Sequence, residues 1–412
     1  MTAWTPQFKL TIAGVDYTTE TLPAISHSSG RSDIYFQPRA SQLQIELVDL
    51  DGLNHDFAIN DSIALQVKNS ANAWVNIFGG TITDIKTSVK KAGTQGYWVS
   101  YTIVALGALS KLTRATTNGV LSKDFDGNQI YSILSSLLYD TWSEVPSATT
   151  WATYDATTTW ANASNSGIGE VDTPGDYELA ARSSSTTNVY ELVTSLAQSG
   201  LGYIYEDSQG RVGYADSTHR GQYLATYGYT ELDAGQAVAE GMSITTKASD
   251  VRNSVTIIYK NNSTYTATDA GSIGIYGLLA SNIQTSLENV GDATTQANFY
   301  LALRAYPQSN LSAMTFCLTN PAIDNADRDA LINVFMGQPI DLSGLPVELG
   351  SNYQGFVEGW SWRTSYNNLY LTLYMTPIAY SLQAFKWLNV PATETWNTLN
   401  PTLIWQDATI VS

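Results

Sequence analysis

Short runs in which hydrophobic and polar residues alternate dominate the first quarter of the chain. They cover residues 43–47, 63–67, 80–85 and 97–104. Alternation with a period of two is typical of strands that bury one face. Because turn residues and no helical pattern separate these runs, we predict an antiparallel β-barrel or sandwich over residues 1–114.

A helical spacing replaces the alternation after residue 114. Hydrophobic residues recur at i, i+3 and i+4 between residues 130 and 138, and again between residues 187 and 198. The following segment, residues 202–214, has the pattern of a β-hairpin with a polar turn at residues 207–210. We therefore predict a small α+β domain over residues 115–245, with a Trp/Thr-rich insertion at about residues 143–186.

The last part of the chain combines strand patterns with two helical segments. One helix is predicted over residues 294–304, and another starts near Asp324 or Asn325, whose side chains can accept hydrogen bonds from a first turn. We predict a second β-barrel module with inserted helices over residues 246–380, followed by an extended segment over residues 381–412. The strands of this module are predicted at residues 255–259, 314–318, 339–342, 355–360 and 369–375.

The two predicted barrel modules share an order of hydrophobic positions. In each module, three hydrophobic residues at alternate positions are followed by two more at alternate positions. A glycine and two further hydrophobic residues come next. We interpret this order as a duplicated barrel, although any two β-modules share alternating patterns. The two copies are Leu43/Ile45/Leu47, Ile63/Leu65 and Gly80/Ile82/Ile85, and Met314/Phe316/Leu318, Ile340/Leu342 and Gly355/Val357/Trp360.

A second repeat consists of tryptophans spaced nine residues apart. Each copy contains Trp-x-x-Val-Pro, Thr-Trp-x-Thr and Trp-x-x-Ala in this order. Large aromatic side chains anchor protein interfaces, and they also stack on sugar rings. We predict that each copy docks as an extended ribbon on a neighbouring protein, with a glycan platform on the host cell surface as the alternative. The candidate docking residues are Trp142, Trp151, Trp160, Trp387, Trp396 and Trp405.

The chain is strongly acidic and carries few charges. Its 37 acidic and 20 basic residues give a net charge of −17, and charged residues make up only 14% of the sequence. Such a surface repels phosphate, which disfavours ordinary nucleic-acid binding and adsorption to anionic membranes. It would suit a conduit through which DNA slides without binding. No signal peptide and no apolar run of membrane-spanning length are visible, so we expect assembly in a cytoplasm without a membrane anchor.

No residue pattern predicts an enzyme, a metal site or a cofactor. The three histidines, His27, His55 and His219, lie far apart in the sequence, and no nucleophile elbow or phosphate-binding glycine loop is present. The alternation around Cys317 indicates a packed strand residue. Glu358 beside Trp360 is reminiscent of a glycosidase cleft, but alternation places it on one strand face with Trp360 and Trp362, which favours a core or an interface.

Two Asp-rich segments partly resemble calcium-binding loops. They begin at Asp49 and Asp124, and their twelfth positions are Asn60 and Ser135 rather than the glutamate that such loops need. Both segments are therefore predicted to be turns or helix caps.

Several motifs together resemble phage tail hub proteins. The run Ile77-Phe-Gly-Gly-Thr-Ile-Thr-Asp-Ile85, followed by residues 97–105 and 109–112, is similar to the N-terminal module of that family. Residues 190–211 resemble its helix and hairpin, and residues 251–255 with 272–277 resemble a later segment. The Trp-rich C-terminal segment is similar to minor tail proteins of long-tailed phages.

This resemblance implies a specific architecture and role. It implies two antiparallel barrels related to the tail-tube fold, and a homotrimer that forms a ring of six barrels at the virion tail tip. Such a hub would continue the tail tube, let phage DNA pass without specific binding, and contact tail-tube, distal-tail and tip proteins. No peptidoglycan hydrolase or fibre domain is recognisable after the hub region, so we expect a structural protein without enzymatic activity.

Overall fold

A computed structural model describes most of the chain. It covers residues 4–18, 21–32, 34, 36–50, 55–91, 97–139, 170–238, 242–311, 313–350 and 352–381. The first seven strands are β1 (Phe8–Ile12), β2 (Val15–Asp16), β3 (Thr21–Gly30), β4 (Arg39–Asp49), β5 (Ser62–Lys68), β6 (Trp74–Lys91) and β7 (Tyr97–Leu106).

A mixed α/β region follows these strands. Its elements are α1 (Leu109–Leu112), β8 (Thr116–Thr117), β9 (Asp124–Phe125), α2 (Asp126–Tyr139), β10 (Glu178–Leu179), β11 (Thr187–Asn188), α3 (Val189–Ser199), β12 (Tyr203–Glu206), β13 (Val212–Ala215), α4 (His219–Tyr227) and β14 (Thr230–Asp233).

The remaining described elements again include long strands. They are β15 (Ile244–Thr246), β16 (Ser254–Tyr259), β17 (Ser263–Thr268), α5 (Ala270–Tyr276), β18 (Ala280–Gln284), α6 (Val290–Arg304), β19 (Ser309–Leu311), β20 (Ala313–Cys317), α7 (Asn325–Ile332), β21 (Pro339–Ser343), β22 (Tyr353–Ser365) and β23 (Asn368–Pro377).

The predicted mainly β fold with helical insertions is confirmed. The largest sheet among the described residues has twelve strands and joins a first strand set, β1–β7, to a second strand set, β14 and β20–β23. Its pairings are antiparallel except for β14 with β21. No pairing of the described residues returns from β1 or β2 to β3, so within this part of the chain the first set forms an open sheet rather than a closed barrel.

Alternating side chains build the core of this sheet. Leu43, Ile45 and Leu47 on β4 are buried, and so are Leu65 and Val67 on β5. The polar residues between them face away. Burying one such side chain contributes about 1.5–3 kcal/mol, which explains why the alternation identified these strands from sequence.

A second core lies in the mixed region. Ile130 and Ile133 on α2 pack in one cluster with Val193 on α3, and Val255 and Ile257 on β16 belong to the same cluster. Strands β16–β18 form a separate three-stranded sheet beside α6. Elements on both sides of residue 245 therefore share one core, and the sequence-based domain boundaries stay a prediction.

Most helices predicted from sequence are present, with local signals that explain their ends. Helix α3 begins after Asn188, whose side chain accepts from the backbone N–H of Glu191. Helix α7 begins after Asp324, which accepts from the N–H of Asp327 at 2.9 Å. Helices α4 and α5 were not predicted, because both are short and contain glycine, which disfavours a helix interior.

The two strand sets contain the same strand motif. Strands β4–β7 and strands β20–β23 pair in the same order, and Ile63 lies opposite Gly80 as Ile340 lies opposite Gly355. In both copies the next strand carries a one-residue bulge, at Thr83 in β6 and after Val357 in β22. The proposed internal duplication is therefore present in the pairing of the strands.

The strand pairings correct the match between β4 and β20 that the hydrophobic pattern suggests. Ile45 and Ile85 both lie opposite Ile103 in the first copy. Met314 and Trp360 both lie opposite Leu373 in the second copy. Ile45 is thus equivalent to Met314, whereas the hydrophobic pattern had matched Leu43 to Met314. A shift by two residues preserves the alternation, so pattern alone does not detect it.

In the described part of the chain, no helix combines the length and the apolar character needed to cross a membrane.

Candidate functional site

The candidate site is the junction at which the two strand sets meet. Strand β22 pairs with β23 along one edge, and along its other edge it pairs first with β21 and then with β3. The β3 pairing runs from Gly359 opposite Gly30 to Arg363 opposite Ser26. We call this β3–β22 pairing the strand junction.

Glycine is required where the strand junction begins. A Cβ atom on Gly359 would lie 2.6 Å from the carbonyl oxygens of Ser29 and Arg31. Gly30 has a φ of +81°, in the left-handed region that residues with a side chain rarely adopt. These two glycines let the backbones of both strand sets approach closely.

A buried ionic cluster lies beside the strand junction. The carboxylate of Glu358 accepts hydrogen bonds from Arg31 Nε at 2.7 Å and from Arg220 Nη1 and Nη2 at 2.7 and 2.9 Å. Thr376 Oγ1 donates a further bond at 2.6 Å. The bonds from Arg220 are bidentate, a geometry that combines strength with directional specificity. One carboxylate thus ties together β22, β23, α4 and the end of β3.

The charges in this cluster balance the cost of burial. Burial alone would raise the pKa of Glu358, but Arg220 and Arg31 outweigh it and hold this pKa at about 2. Glu358 in turn raises the pKa of Arg220, against the effect of burial. The ring of Tyr203 lies against both guanidinium groups, with centroid distances of 5.4 Å to Arg31 and 4.7 Å to Arg220. We call these residues the Glu358 cluster.

The bulge in β22 overturns one expectation about Glu358. Alternation placed Glu358 on the face that carries Trp360 and Trp362. The extra residue in the strand reverses the alternation, so Val357, Trp360 and Trp362 enter the hydrophobic core while Glu358 faces the arginines. Its oxygen atoms are committed to Arg31, Arg220 and Thr376, which supports the interpretation as a structural rather than a glycosidase carboxylate.

The β12–β13 hairpin connects the mixed region to the first strand set. Buried Glu206 accepts from the N–H and hydroxyl of Ser41, at 2.7 and 2.5 Å, and from the N–H of Leu109. Burial raises the pKa of Glu206 to about 7. At the tip of the hairpin, Gly210 and Gln209 contact Gly79 on β6 so closely that a Cβ on Gly79 would lie 2.5 Å from the Gln209 carbonyl.

A second polar group is buried behind this hairpin. His219 Nδ1 lies 2.6 Å from Asp172 Oδ2, and Asp216 accepts from the N–H groups of Thr218 and His219 at the start of α4. Burial raises the pKa of nearby Glu170 to about 7. Sequence reasoning compared the histidines only with one another, and it therefore missed the carboxylate partner, which lies 47 residues away.

The other chemical candidates have structural partners. Burial lowers the pKa of His27 to about 4, so this residue is neutral at pH 7. Asp126 accepts from Tyr214 Oη and from the N–H groups of Asp176 and Tyr177, so its carboxylate binds other segments of the chain and does not cap the first turn of α2. Cys317 is a half-buried residue of β20, as predicted. Among the described residues, no group of three or more His, Cys, Asp or Glu side chains could hold a metal ion.

The predicted Trp docking residues lie outside the described residues. Trp142, Trp151 and Trp160 fall between residues 139 and 170, and the other three follow residue 381. Their docking role therefore stays a prediction. A cavity of about 410 Å³ adjoins the Glu358 cluster and extends to α6 and β18, with Arg220, Tyr300 and Ser381 among its lining residues.

Comparisons with solved structures identify the fold. The tail protein from Neisseria meningitidis superimposes with a TM-score of 0.58 at 10% identity, covering 92% of this chain and 98% of its own. The 43 kDa tail protein of prophage MuSo2 from Shewanella oneidensis gives 0.57 at 9%, covering 92% and 100%. A prophage tail protein from Listeria monocytogenes gives 0.51 at 10%, covering 89% and 94%.

Neither a scan against protein-family models nor a search of curated protein sequences finds a match. The resemblance read from the motifs is thus confirmed at the level of the fold: this chain has the fold of phage tail proteins along most of its length.

Proposed function

We propose that this chain is a structural component of a phage tail and that three copies form a ring-shaped hub at the tail tip. The observation that carries the proposal is the duplicated strand motif, whose two copies are joined edge to edge at the strand junction. The fold shared with three phage tail proteins supports the same class of role.

The ring follows from the way sheet edges are covered. An exposed strand edge is a template for further pairing, and closed rings of identical subunits remove such edges. Each chain supplies two related strand sets, so three chains supply six around one axis. A hub of this kind continues the tail tube and binds the distal-tail and tip proteins on either side.

The net charge of −17 suits a passage for DNA. Acidic groups along a lumen repel phosphate, so phage DNA passes through without specific binding. The proposed role is non-enzymatic: the fully buried carboxylate of Glu358 is neutralised by two arginines and ties structural elements together. The chain acts in the virion tail after assembly in the host cytoplasm.

Solution mass and particle shape test this proposal. We expect light scattering to give three times the chain mass of 44.8 kDa, and negative-stain images of the same sample to show rings with an axial channel. Because closure by edge pairing depends on concentration, the measurement is made over a dilution series. A monomer throughout the series, or a compact trimer without a channel, would contradict the hub.

The tryptophan repeat allows a test of the alternative, a glycan- or receptor-binding tail-tip protein. If the ribbons dock on protein, Trp151→Ala or Trp396→Ala weakens binding to neighbouring tail proteins and leaves glycan titrations flat. If they form a glycan platform, the same variants lose binding to host cell-surface glycan. Trp74→Ala is a suitable control, because Trp74 lies on β6, outside both copies of the repeat.

A further inference from the structure

Half of strand β6 has an edge without a partner among the described residues. Strand β5 pairs with β6 only as far as Ser62 opposite Thr81, and the backbone of Ile82 still bonds to Asn60 and Asp61. From Asp84 onward, β6 pairs with β7 on its other side alone. The side chains of Asp84, Lys86, Thr87 and Val89 are exposed, Val89 to 63%.

The internal repeat shows what covers this edge in the second strand set. Asp84 and Gly359 each follow the bulge in their copy, so residues 84–88 are equivalent to residues 359–363. In β22 these residues pair with β3. Trp362 is 1% exposed, whereas the equivalent Thr87 lies at the surface.

The second strand set also contains a counterpart of β3. Strand β3 lies on the outer edge of β4, with Ser28 opposite Gln42. In the second set, β15 lies on the outer edge of β19, which leads into β20, with Ile244 opposite Leu311. Ile45 is equivalent to Met314, so Gln42, three residues earlier, is equivalent to Leu311. Because Ser28 lies opposite Gln42 and Ile244 lies opposite Leu311, Ser28 is equivalent to Ile244. The pairing with β19 uses one edge of β15, and no described strand occupies the other.

We propose that β6 of one copy pairs with β15 of a second copy, in the register that the strand junction shows within one chain. The observed pair Gly359–Gly30 corresponds to a proposed pair Asp84–Thr246 between two copies. In the same way, the observed pair Ser361–Ser28 corresponds to a proposed pair Lys86–Ile244. The pairing is antiparallel, and each chain offers both partners at different places on its surface.

This pairing deepens the proposed hub and rests on it. A contact between two different surfaces propagates from copy to copy and closes only if the rotation between copies fits a ring. The β3–β22 junction within a chain then alternates with the β6–β15 junction between chains. All six strand sets of a trimer would be connected by joints of one kind, with no free edge at either strand.

Cysteine cross-linking tests the register. Directly opposite residues in an antiparallel pair have Cα atoms about 4.5–5.5 Å apart, which lies within the range of disulfides. We therefore combine Asp84→Cys with Thr246→Cys, both exposed positions, in a Cys317→Ser background that removes the native thiol. The matched control combines Thr87→Cys with Thr246→Cys, which the proposed register places three residues apart and on opposite faces.

We expect oxidation of the in-register pair to shift the band on a non-reducing gel from monomer to covalent trimer, and the control to stay monomeric. Absence of cross-linking in a sample with trimer mass overturns the β6–β15 pairing and leaves the hub standing. A covalent ladder beyond trimer supports the pairing and contradicts the closed ring. A sample that is monomeric and uncross-linked overturns both.

Amide hydrogen exchange on the unmodified chain gives an independent reading that needs no variant. We expect residues 84–88 to be protected in the assembled state and to lose this protection on dilution to monomer, while residues 99–104 of β7 stay protected in both states. Unchanged exchange at residues 84–88 between trimer and monomer overturns the pairing.

Discussion

Thr83 and Glu358 occupy the same position in the two copies of the strand motif, each as the extra residue of a bulge. Thr83 is half-buried, and its hydroxyl donates to the carbonyl of Val104 at 3.2 Å. Glu358 is fully buried between Arg31 and Arg220. The same type of bulge thus places a neutral hydroxyl in the first set and the carboxylate of an ionic cluster in the second.

The substitution Glu358→Gln should destabilise the chain by about 3–5 kcal/mol, since removing one partner leaves buried charge without compensation. The matched variant Thr83→Ala should cost about 1 kcal/mol, the usual contribution of one hydrogen bond. Chemical denaturation monitored by tryptophan fluorescence measures both. Equal losses for the two variants would contradict the structural role of the Glu358 cluster.

The contact between the β12–β13 hairpin and β6 should fail when Gly79 acquires a side chain. We expect Gly79→Ala to destabilise the chain by about 1–3 kcal/mol, because its Cβ would collide with backbone atoms that cannot move aside. Gly274→Ala is the control: it lies in α5 with no atom within 4 Å of the added Cβ. There the helix propensity of alanine should stabilise by about 0.5–1 kcal/mol. Thermal melts of both variants test the contrast.

Ser70 and Asp329 connect the first strand set to α7. Asp329 accepts from the N–H and the hydroxyl of Ser70, at 2.8 and 2.5 Å. A double-mutant cycle with Ser70→Ala and Asp329→Ala should give a coupling free energy of about 0.5–3 kcal/mol, the range for residues in direct contact. Additive effects in denaturant titrations would show that this contact does not hold α7 to the first strand set.

Stability should fall with rising pH because of Glu170. Burial raises its pKa to about 7 in the folded chain, above the ordinary value of 4.5. The folded state therefore binds the proton more tightly, and this contribution is complete below pH 4.5 and is lost as pH rises through 7. Glu170→Gln, which resembles the protonated form, should be more stable than the unmodified chain at pH 8 by about 1–3 kcal/mol.

Unfolding free energies at pH 5 and pH 8 measure this effect. The Glu170→Gln variant should show a smaller difference between the two pH values than the unmodified chain. Asp61→Asn is the control, because Asp61 lies in an exposed turn where its side chain accepts from the N–H of Ala58. An unchanged pH dependence in Glu170→Gln would contradict a raised pKa at this position.

Local pattern was sufficient to predict β4–β7, β16, β20–β23, most helices and the duplication, but it did not predict β3, β15 or β17–β19. In β4 and β5 one face is buried, so hydrophobic residues must alternate, and the alternation is visible in the sequence. Helices α3 and α7 begin at side chains that cap them, Asn188 and Asp324. The motifs that resemble tail hub proteins are likewise local, and their order was enough to identify the fold.

The Glu358 cluster could not be predicted in this way. Arg31, Arg220 and Glu358 are separated by more than one hundred residues from one another, and only the packing of α4 against both strand sets brings them together. The bulge at Glu358 adds one residue to a strand, which reverses the face of every following side chain, and no alternation pattern in a single sequence reveals it.

The sequence by itself determined the long strands that bury one face and most of the helices, because their patterns depend on neighbours along the chain. Only the tertiary structure decided which strand edges meet: β22 is covered by β3, while the equivalent edge of β6 has no described partner beyond Ile82. Pairing along a strand edge uses backbone N–H and C=O groups rather than side chains. The pattern of side chains therefore does not indicate which strand pairs with which.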